Sequence, residues 1–393
     1  MLYVKSNLSN TNWLQYLMEE FCRIEKAKFK FQITASNIDT GDSPFININR
    51  DRLSQNAFYL TFLTLSRKEE YISEIGGKAI QSYSYNHPDK NRNWKIPVVT
   101  EFFKNLKSEL KSTYPSLEFE QEDTAILELS HDLDYIKKTT PLRLKQSAFN
   151  LFNGFKHGSL KKLSKAAEFL FLNTNYWCFD YWLDFEKQVD FKSIFYVYSK
   201  ADSANVKQWL LDPSYNVSED KALQHQLKKM LKQGWEIGLH GSFFSSDSLK
   251  QLSFEKQKLE QALGHEVTKT RQHWLRYKED ATPFIHEKLF EQDSSVAWNN
   301  EIGFRAGIAS KYRPYNHKED RPFNYFIVPQ IIMDSNIYDY GFGKEKNILK
   351  DSLDLLNTCK NTGNTHVSIS WHPRTCSKDY NWHYGYEKLV KIW

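Results

Sequence analysis

The sequence has no long hydrophobic run. No stretch of its 393 residues approaches the ~18 consecutive apolar residues that a membrane-spanning helix requires. The first twenty residues also lack a basic start followed by an apolar core, which is the pattern of a secretory signal. These absences predict a cytoplasmic protein with no membrane span, although a chain from which a signal had been removed would look the same.

Clustered cysteines and dense basic runs are missing as well. The four cysteines lie far apart, at Cys22, Cys178, Cys359 and Cys376, without the C-x-x-C spacing of a metal or redox site. Such thiols are typical of a reducing compartment. The 53 basic residues nearly balance the 48 acidic ones, and no basic run is interleaved with aromatic residues. Nucleic acid is therefore not a predicted partner, and nothing in the sequence indicates an oligomeric state.

The chain is long enough for two domains, and its 40% hydrophobic residues suffice for a core. Residues 1–120 alternate short strands and helices, as in a small α/β domain of unknown role. Trp13, Leu17 and Phe21 mark one face of a helix, AFYLTFLTLSRKEEYI (57–72) indicates a second helix, and Pro97 opens a third. The segment PSLEFEQED (115–123) predicts the boundary. We expect residues 1–118 to form a unit whose removal leaves the rest folded.

In residues 121–393, strands alternate with helices. Apolar strands are indicated at 125–130, 193–199, 235–240 and 366–372. Helices are indicated after Ser159, which is suited to an N-cap, and between Ser253 and Gly264. This alternation predicts an α/β fold with a parallel sheet, and about 270 residues favour a (β/α) barrel. In such barrels the chemistry lies at the carboxyl ends of the strands.

Polar side chains follow several of these strands. Asp132 and Asp134 end the first strand two residues apart, so the strand period places both carboxylates on one side, where they can hold a cation or take a proton. His240 and His372 end two later strands. A third histidine, His273, stands between two arginines whose guanidinium groups suit the orientation of carboxylates. Each piece alone also fits a structural residue or a surface turn.

In this order the pieces resemble the motifs of the NodB-homology polysaccharide deacetylase superfamily (carbohydrate esterase family 4). Its T-F-D-D motif resembles Ser130-His131-Asp132, with the second aspartate displaced to Asp134. Its later motifs are similar to the segments HGSFFS (240–245), RQHW (271–274), Asp293 with Trp298, and ISWH (369–372). HDLD, EIGLHGSFFS, RQHWLR and GFRAG are also similar to segments of bacterial, often Bacteroidetes, polysaccharide-deacetylase-like proteins, and this likeness covers nearly the whole chain.

The resemblance implies a distorted (β/α) barrel of NodB type, preceded by the small α/β domain. It implies a metal-dependent hydrolase that removes an N-acyl group, N-acetyl in the main expectation, from an amino sugar or glycan precursor of surface-polysaccharide metabolism. It implies that Asp132 takes a proton from water, that Arg271 orients Asp132, and that His372 protonates the leaving amine. The substrate-binding or orienting residues are then Arg276, Asp293 and Trp371.

The chain departs from the family pattern at the metal ligands. The usual set is Asp-His-His, but Phe244 or Ser245 stands at the position of the second histidine. Asp134 and His240 are the expected ligands, and Ser245, His273 or water could complete the site. The expected metal is divalent, with Zn²⁺ as the default. Two alternatives remain at this point: a hydrolase of a small non-sugar amide, and an inactive glycan-binding protein, which the missing histidine favours.

Overall fold

A computed structural model describes residues 1–48, 56–156, 158–199, 211–341 and 343–393. Its strands are β1 (Leu2–Ser6), β2 (Phe31–Ala35), β3 (Phe45–Ile48), β4 (Ile126–Leu133), β5 (Ile194–Tyr198), β6 (Glu236–Gly241), β7 (Lys269–Gln272), β8 (Gln292–Asp293), β9 (Tyr315–Asn316), β10 (Arg321–Pro322), β11 (Phe326–Ile327), β12 (Gln330–Met333) and β13 (His366–Ser370).

The described helices alternate with the strands. They are α1 (Asn12–Ile24), α2 (Ala57–Leu65), α3 (Lys68–Ile75), α4 (Val98–Thr113), α5 (Thr140–Lys156), α6 (Leu160–Phe171), α7 (Phe179–Gln188), α8 (Lys221–Lys232), α9 (Leu249–Leu263), α10 (Thr282–Leu289), α11 (Asp334–Tyr338), α12 (Glu345–Lys360) and α13 (His383–Lys391). None of the helices in the described ranges is long and apolar enough to cross a bilayer.

The main sheet is parallel and has eight strands, in the order β12-β13-β4-β5-β6-β7-β8-β11. Its central strands read as apolar runs because helices cover their outer face, as the buried residues of β5 illustrate. All eight strands point the same way, so their carboxyl ends lie along one edge. The predicted α/β class and parallel sheet are confirmed.

The two outer strands of this sheet are almost consecutive in the chain. Only Val328 and Pro329 separate β11 at one end of the order from β12 at the other. The Val328 N–H donates to the carbonyl of Asp293 on β8, whereas the Pro329 carbonyl accepts from the Ser368 N–H on β13. The chain therefore passes from one edge of the sheet to the other within two residues, and the sheet must curl into a barrel.

The N-terminal residues form a second, parallel sheet in the order β2-β1-β3, packed with α1, α2 and α4. Its apolar cluster does not stop at residue 120. The same cluster contains Tyr277, Tyr312 and Tyr325 from the barrel segment. The division at residue 120 stays a prediction, but the expected separability of residues 1–118 is not supported, because the two segments share one core.

Local backbone signals explain two further differences from the sequence expectations. The helix expected over 57–72 is broken into α2 and α3 at Arg67, which has a φ of 52°. The helix expected from Ser253 begins earlier, because Ser248 accepts a hydrogen bond from the Gln251 N–H and caps α9. Gly264 ends that helix in the left-handed conformation, and Ser159 caps α6, both as predicted.

Candidate active site and metal centre

The carboxyl end of β4 supplies two buried carboxylates. Asp132 and Asp134 both line a cavity of roughly 190 Å³, together with His240, His273 and His372. His131, which precedes Asp132 in the strand, faces the opposite side, where its Nδ1 lies 2.8 Å from the Trp371 carbonyl oxygen and its Nε2 lies 2.8 Å from Glu186 Oε1. The strand period thus separates a structural histidine from two carboxylates that face the cavity.

Arg271 holds the carboxylate of Asp132. Its Nη1 donates to Asp132 Oδ1 at 2.6 Å and to Ser370 Oγ at 2.9 Å, and its Nη2 donates to Ser294 Oγ at 3.1 Å. Its plane lies over the ring of Tyr196 at 4.3 Å. Burial raises the pKa of Asp132, but the positive charge of Arg271, followed by His240 and His372, outweighs burial, so the pKa is lowered. Asp132 is therefore ionised at neutral pH.

Asp134, His240 and His273 form the second feature of the site. Asp134 Oδ1 lies 3.3 Å from His240 Nε2 and 3.6 Å from His273 Nε2, and one ligand atom from each residue lies within 4.8 Å of the others. All three side chains are buried. Burial raises the pKa of Asp134, but His372, His240 and His273 lower it well below its usual range.

A divalent cation fits these atoms. His240 donates from Nδ1 to the Arg271 carbonyl at 3.0 Å, and His273 directs Nδ1 at Asp212 Oδ1 at 3.1 Å. Each ring therefore presents the lone pair of Nε2 to the cavity, as a metal-ligating histidine does. His240 Nε2 and Asp134 Oδ1 are buried without a hydrogen-bond partner. Buried polar atoms that lack a partner and converge on one point are typical of a cation site.

His372 lies on the other side of Asp134. Its Nδ1 donates to Asp334 Oδ1 at 2.7 Å, and its Nε2 lies 3.2 Å from Asp134 Oδ2, which also accepts from Arg374 at 3.0 Å. Burial lowers the pKa of His372, but Asp334 and Asp134 raise it to about 10. The imidazole therefore carries two protons and can donate one into the cavity.

The remaining cavity wall is aromatic and partly strained. The rings of Tyr135, Phe149, Trp274 and Tyr340 line it. Trp274 and Leu275 have φ angles of 61° and 51°, a left-handed conformation that is costly for large side chains. This turn directly follows His273, so the backbone strain lies at the point where the ring of that residue enters the cavity.

Comparison with known proteins gives similarity in structure only. No protein-family model matches the chain, and no curated protein matches it. It is similar to a Mycobacterium smegmatis protein assigned as a polysaccharide deacetylase, at 12% identity and a TM-score of 0.42, over 70% of this chain and 85% of that one. It is similar to a Pseudomonas aeruginosa PAO1 protein with the same assignment, at 11% identity and a TM-score of 0.40, over 68% and 84%.

A further similar structure is the peptidoglycan deacetylase PdaC from Bacillus subtilis. The identity is 12% and the TM-score 0.29, and the match covers 70% of this chain and 85% of that one. These values describe a distant likeness. The chemistry of this chain is therefore argued from its own side chains.

Ser245, an expected candidate ligand, does not line the cavity. Its hydroxyl donates to the Ser242 carbonyl at 2.9 Å and lies 3.3 Å from Gln272 Oε1. After β6 the chain enters a tight turn over 245–247, which directs this side chain into the protein. His273, which follows β7, takes the place beside Asp134 instead. Because β6 and β7 are neighbours, their ends approach the same point.

The three residues expected to bind or orient substrate do not line the cavity. Asp293 accepts from the N–H and hydroxyl of Ser295, and Trp371 donates to the Trp382 carbonyl. Arg276 donates to the Phe243 carbonyl and to Ser246. None of the three is among the cavity-lining residues. For Trp371 the reason is alternation, since its neighbour His372 faces the cavity.

Three residues near the centre had no predicted role: Asp212, Asp334 and Arg374. Asp334 had a usable signal, because it directly follows the apolar strand QIIM, much as Asp132 lies at the carboxyl end of β4. Arg374 stands two residues after His372 in a short turn. Asp212 lies outside any strand, and only the folded chain brings it to His273.

Proposed function

We propose that this chain is a divalent-metal-dependent hydrolase that removes an N-acyl group, N-acetyl in the first instance, from an amino sugar or glycan precursor. One observation carries the proposal. An ionised Asp132 held by Arg271 and a doubly protonated His372 held by Asp334 flank the three converging atoms of Asp134, His240 and His273. This arrangement separates a base from an acid around a cation site, as amide hydrolysis requires.

Each residue then has a distinct role. Asp134, His240 and His273 would hold the metal, which when bound supplies a Lewis acid for the amide oxygen and for water. Asp132 accepts the proton of the attacking water, and Arg271 fixes the position of the carboxylate. His372 donates the Nε2 proton to the amine as the C–N bond breaks, and Asp334 keeps the imidazole oriented from Nδ1.

The proposed substrate is a single acylated amino-sugar unit, free or at the end of a glycan precursor. Four aromatic rings line the cavity of roughly 190 Å³. Aromatic faces pack well on the C–H surfaces of sugar rings. The sugar, the acyl group, Zn²⁺ as the metal and the cytoplasm as the compartment are parts of the proposal.

One alternative keeps a specific observation in its favour. A cavity of this size also accommodates a small amide that is not a sugar. The inactive glycan-binding alternative rested on the missing second histidine, and His273 supplies an imidazole at that point. A donor set of one carboxylate and two imidazoles meets the requirement for a catalytic zinc site with an open position.

The test is metal content together with amine release. Purified protein is stripped with a chelator and reloaded with Zn²⁺, Co²⁺ or Mn²⁺, and bound metal is measured by mass spectrometry. Release of free amine is then followed on N-acetylglucosamine, on its oligomers and on acetamide. We expect one metal per chain and metal-dependent amine release from a sugar. Release from acetamide alone favours the small-amide alternative, and absence of both metal and activity contradicts the proposal.

A further inference from the structure

The helical hairpin formed by α5 and α6 (residues 140–172, below "the hairpin") has an inverted polarity. On α5, the buried positions include Asn150, Asn153 and Gly154. Large apolar side chains point outward instead. Phe152 is 63% exposed, Phe155 72%, Leu160 82% and Phe171 78%. A helix in water normally buries its apolar face, so this outer face is built to meet an apolar phase.

The exposed side chains of α5 form one continuous stripe. Leu144, Ala148, Leu151, Phe152 and Phe155 follow the spacing of one helical face, and all five are exposed. The two helices are tightly joined, since α6 starts at the Ser159 cap and a Cβ on Gly154 would lie 2.5 Å from Leu163 Cδ2. The stripe is therefore displayed by a defined hairpin.

The positive charge of the chain is concentrated in the same segment. The hairpin has six basic residues and one acidic residue, Glu168, whereas the rest of the chain has 47 of each. The formal net charge of +5 is therefore the net charge of the hairpin. A segment that combines exposed Phe and Leu with excess Lys and Arg has the chemistry that binds the surface of an anionic bilayer.

The face of α5 beside this stripe forms part of the active-site cavity. Lys145, Gln146 and Phe149 on α5 line it. Lys145 Nζ donates to the Tyr135 hydroxyl at 3.2 Å, and in the described parts of the chain no carboxylate lies within 4.0 Å of this ammonium group. The helix α5 therefore carries the exposed apolar stripe and also lines the catalytic cavity. It places Lys145, which has no carboxylate partner in the described parts of the chain, at the cavity wall.

We propose that the hairpin docks on the surface of an anionic phospholipid bilayer. The cavity then opens beside the headgroups, and its substrate is an acylated amino sugar carried on a lipid, with Lys145 near the anionic linkage. This substrate class rests on the proposed function, whereas the docking does not. The Phe and Leu side chains enter the interface, and the exposed Lys156 on α5 contacts the anionic headgroups.

Sedimentation with vesicles tests the docking. The full chain is mixed with phosphatidylcholine vesicles that contain either no phosphatidylglycerol or ~30% of it, at low and high salt. We expect binding to the anionic vesicles that weakens with salt. The double variant Phe152→Ser and Phe155→Ser should bind at least ~10-fold more weakly. Ile72→Ser with Ile75→Ser on α3 is the matched control, because both side chains are 54% exposed, and it should bind like the unchanged protein.

A pair of charge variants tests whether vesicle binding depends on the basic residues of the hairpin or on basic residues anywhere in the chain. Lys156→Glu on α5 should weaken binding to anionic vesicles several-fold, whereas Lys388→Glu on α13, another exposed lysine, should not. Failure of the unchanged protein to sediment with anionic vesicles overturns the proposal. Equal binding by the Phe152/Phe155 variant does the same. A third outcome also contradicts the proposal. If the unchanged protein does not bind vesicles and is a dimer in light scattering, and the Phe152/Phe155 variant is a monomer, the occupant of this face is a second copy of the chain.

Activity measured on the same samples separates the two proposals. The Phe152/Phe155 variant should retain amine release from soluble N-acetylglucosamine and lose most release from N-acetylglucosamine attached to a phosphoprenol in vesicles. Vesicle binding by a protein that releases amine from neither substrate contradicts the proposed function and leaves the docking intact. Equal loss on both substrates contradicts the assignment of a lipid-carried substrate.

Discussion

The single imidazole of His273 completes the set of ligand atoms around Asp134. His273→Ala should therefore lower metal affinity by at least ~100-fold, as should His240→Ala, because loss of even an outer-shell partner can cost that much. Calorimetric titration with Zn²⁺ measures the affinity.

Ser245→Ala is the matched control for the histidine variants. Its hydroxyl contacts Ser242 and Gln272 rather than the cavity, so metal affinity should stay unchanged. Unfolding by urea should be easier by about 1 kcal/mol, the usual value of one hydrogen bond. Weakened metal binding in this variant, with full binding in His273→Ala, would return Ser245 to the ligand set.

Asp132→Asn separates the roles of the two carboxylates. Asparagine has nearly the same size and still accepts a hydrogen bond from Arg271, which also keeps its bonds to Ser370 and Ser294. Metal content and fold should therefore persist. Amine release should fall by ~10²–10⁴, the usual value of a general base. A parallel fall in metal content would assign Asp132 to the metal instead.

At the scale of elements, the ring of Tyr196 on β5 lies directly against Gly238 on β6. A Cβ on Gly238 would lie 2.6 Å from the ring of Tyr196, and that ring lies under the guanidinium of Arg271. Gly238→Ala should therefore push Tyr196 toward Arg271. We expect a loss of about 1–3 kcal/mol in the free energy of unfolding, typical of overpacking, and slower amine release.

Combining Gly238→Ala with Tyr196→Leu tests whether the added methyl group acts through the ring of Tyr196. Leucine is smaller than the tyrosine ring, so the double variant should be more stable than the sum of the two single effects predicts. Urea unfolding of all four proteins gives the coupling free energy. Strict additivity would mean that the strands separate around the added methyl group and that Arg271 is not disturbed.

The long elements could be predicted from sequence because their signals are local. β4, β5, β6 and β13 are apolar runs that end in polar residues, and Ser159 and Gly264 mark helix ends. The short strands could not be predicted, since two residues such as Gln292–Asp293 show no period. The break between α2 and α3 was equally hidden, because Arg67 carries no glycine-like signal for its positive φ.

The residues of the site also divide into those that the sequence could predict and those that it could not. Asp132, Asp134, His240 and His372 each end a recognisable strand, so their meeting at one edge follows from the parallel sheet. Asp334 and Asp212 are partners of histidines 38 and 61 residues away, and no spacing rule connects such pairs. Ser245 and His273 compete for one place, and only the turn after β6 decides between them.

At the scale of the whole molecule, His317 makes the contact between the N-terminal segment and the barrel segment sensitive to low pH. Its Nε2 donates to the Ser66 carbonyl at 2.9 Å, and its ring packs on Tyr71 and Phe62. Burial lowers its pKa to about 4, and the nearby Lys68 and Arg67 also lower it. The folded state therefore keeps this imidazole neutral at pH values where the unfolded chain protonates it.

The sign of the pH effect follows from this depressed pKa. The stability that depends on neutral His317 is present above pH ~6.5 and is lost as the pH falls from ~6.5 to about 4. At about 1.4 kcal/mol per pKa unit, the loss is on the order of 3 kcal/mol. His317→Gln keeps a donor to Ser66 and cannot titrate, so its unfolding free energy should depend less on pH in this range. An unchanged slope would assign the acid sensitivity to other groups.

Two buried ion pairs join the N-terminal segment to the barrel. Arg305 donates to Glu70 at 2.5 Å, and Arg67 lies 2.6 Å from Glu279, with all four side chains buried. Loss of one partner from such a pair costs ~3–5 kcal/mol, because the other charge stays buried without compensation. Both pairs would lose a partner if the N-terminal segment were removed.

Removal of residues 1–118 should therefore leave the barrel insoluble or molten. It would expose Tyr277, Tyr312 and Tyr325, which the shared core now buries, and it would strand Arg305 and Glu279. The full chain should unfold in urea in one transition, with circular dichroism and tryptophan fluorescence coincident. In the full chain, Glu70→Met with Arg305→Met should destabilise less than either change alone, because both charges leave together. A truncated chain that is soluble and unfolds cooperatively would show that the barrel folds without the shared core.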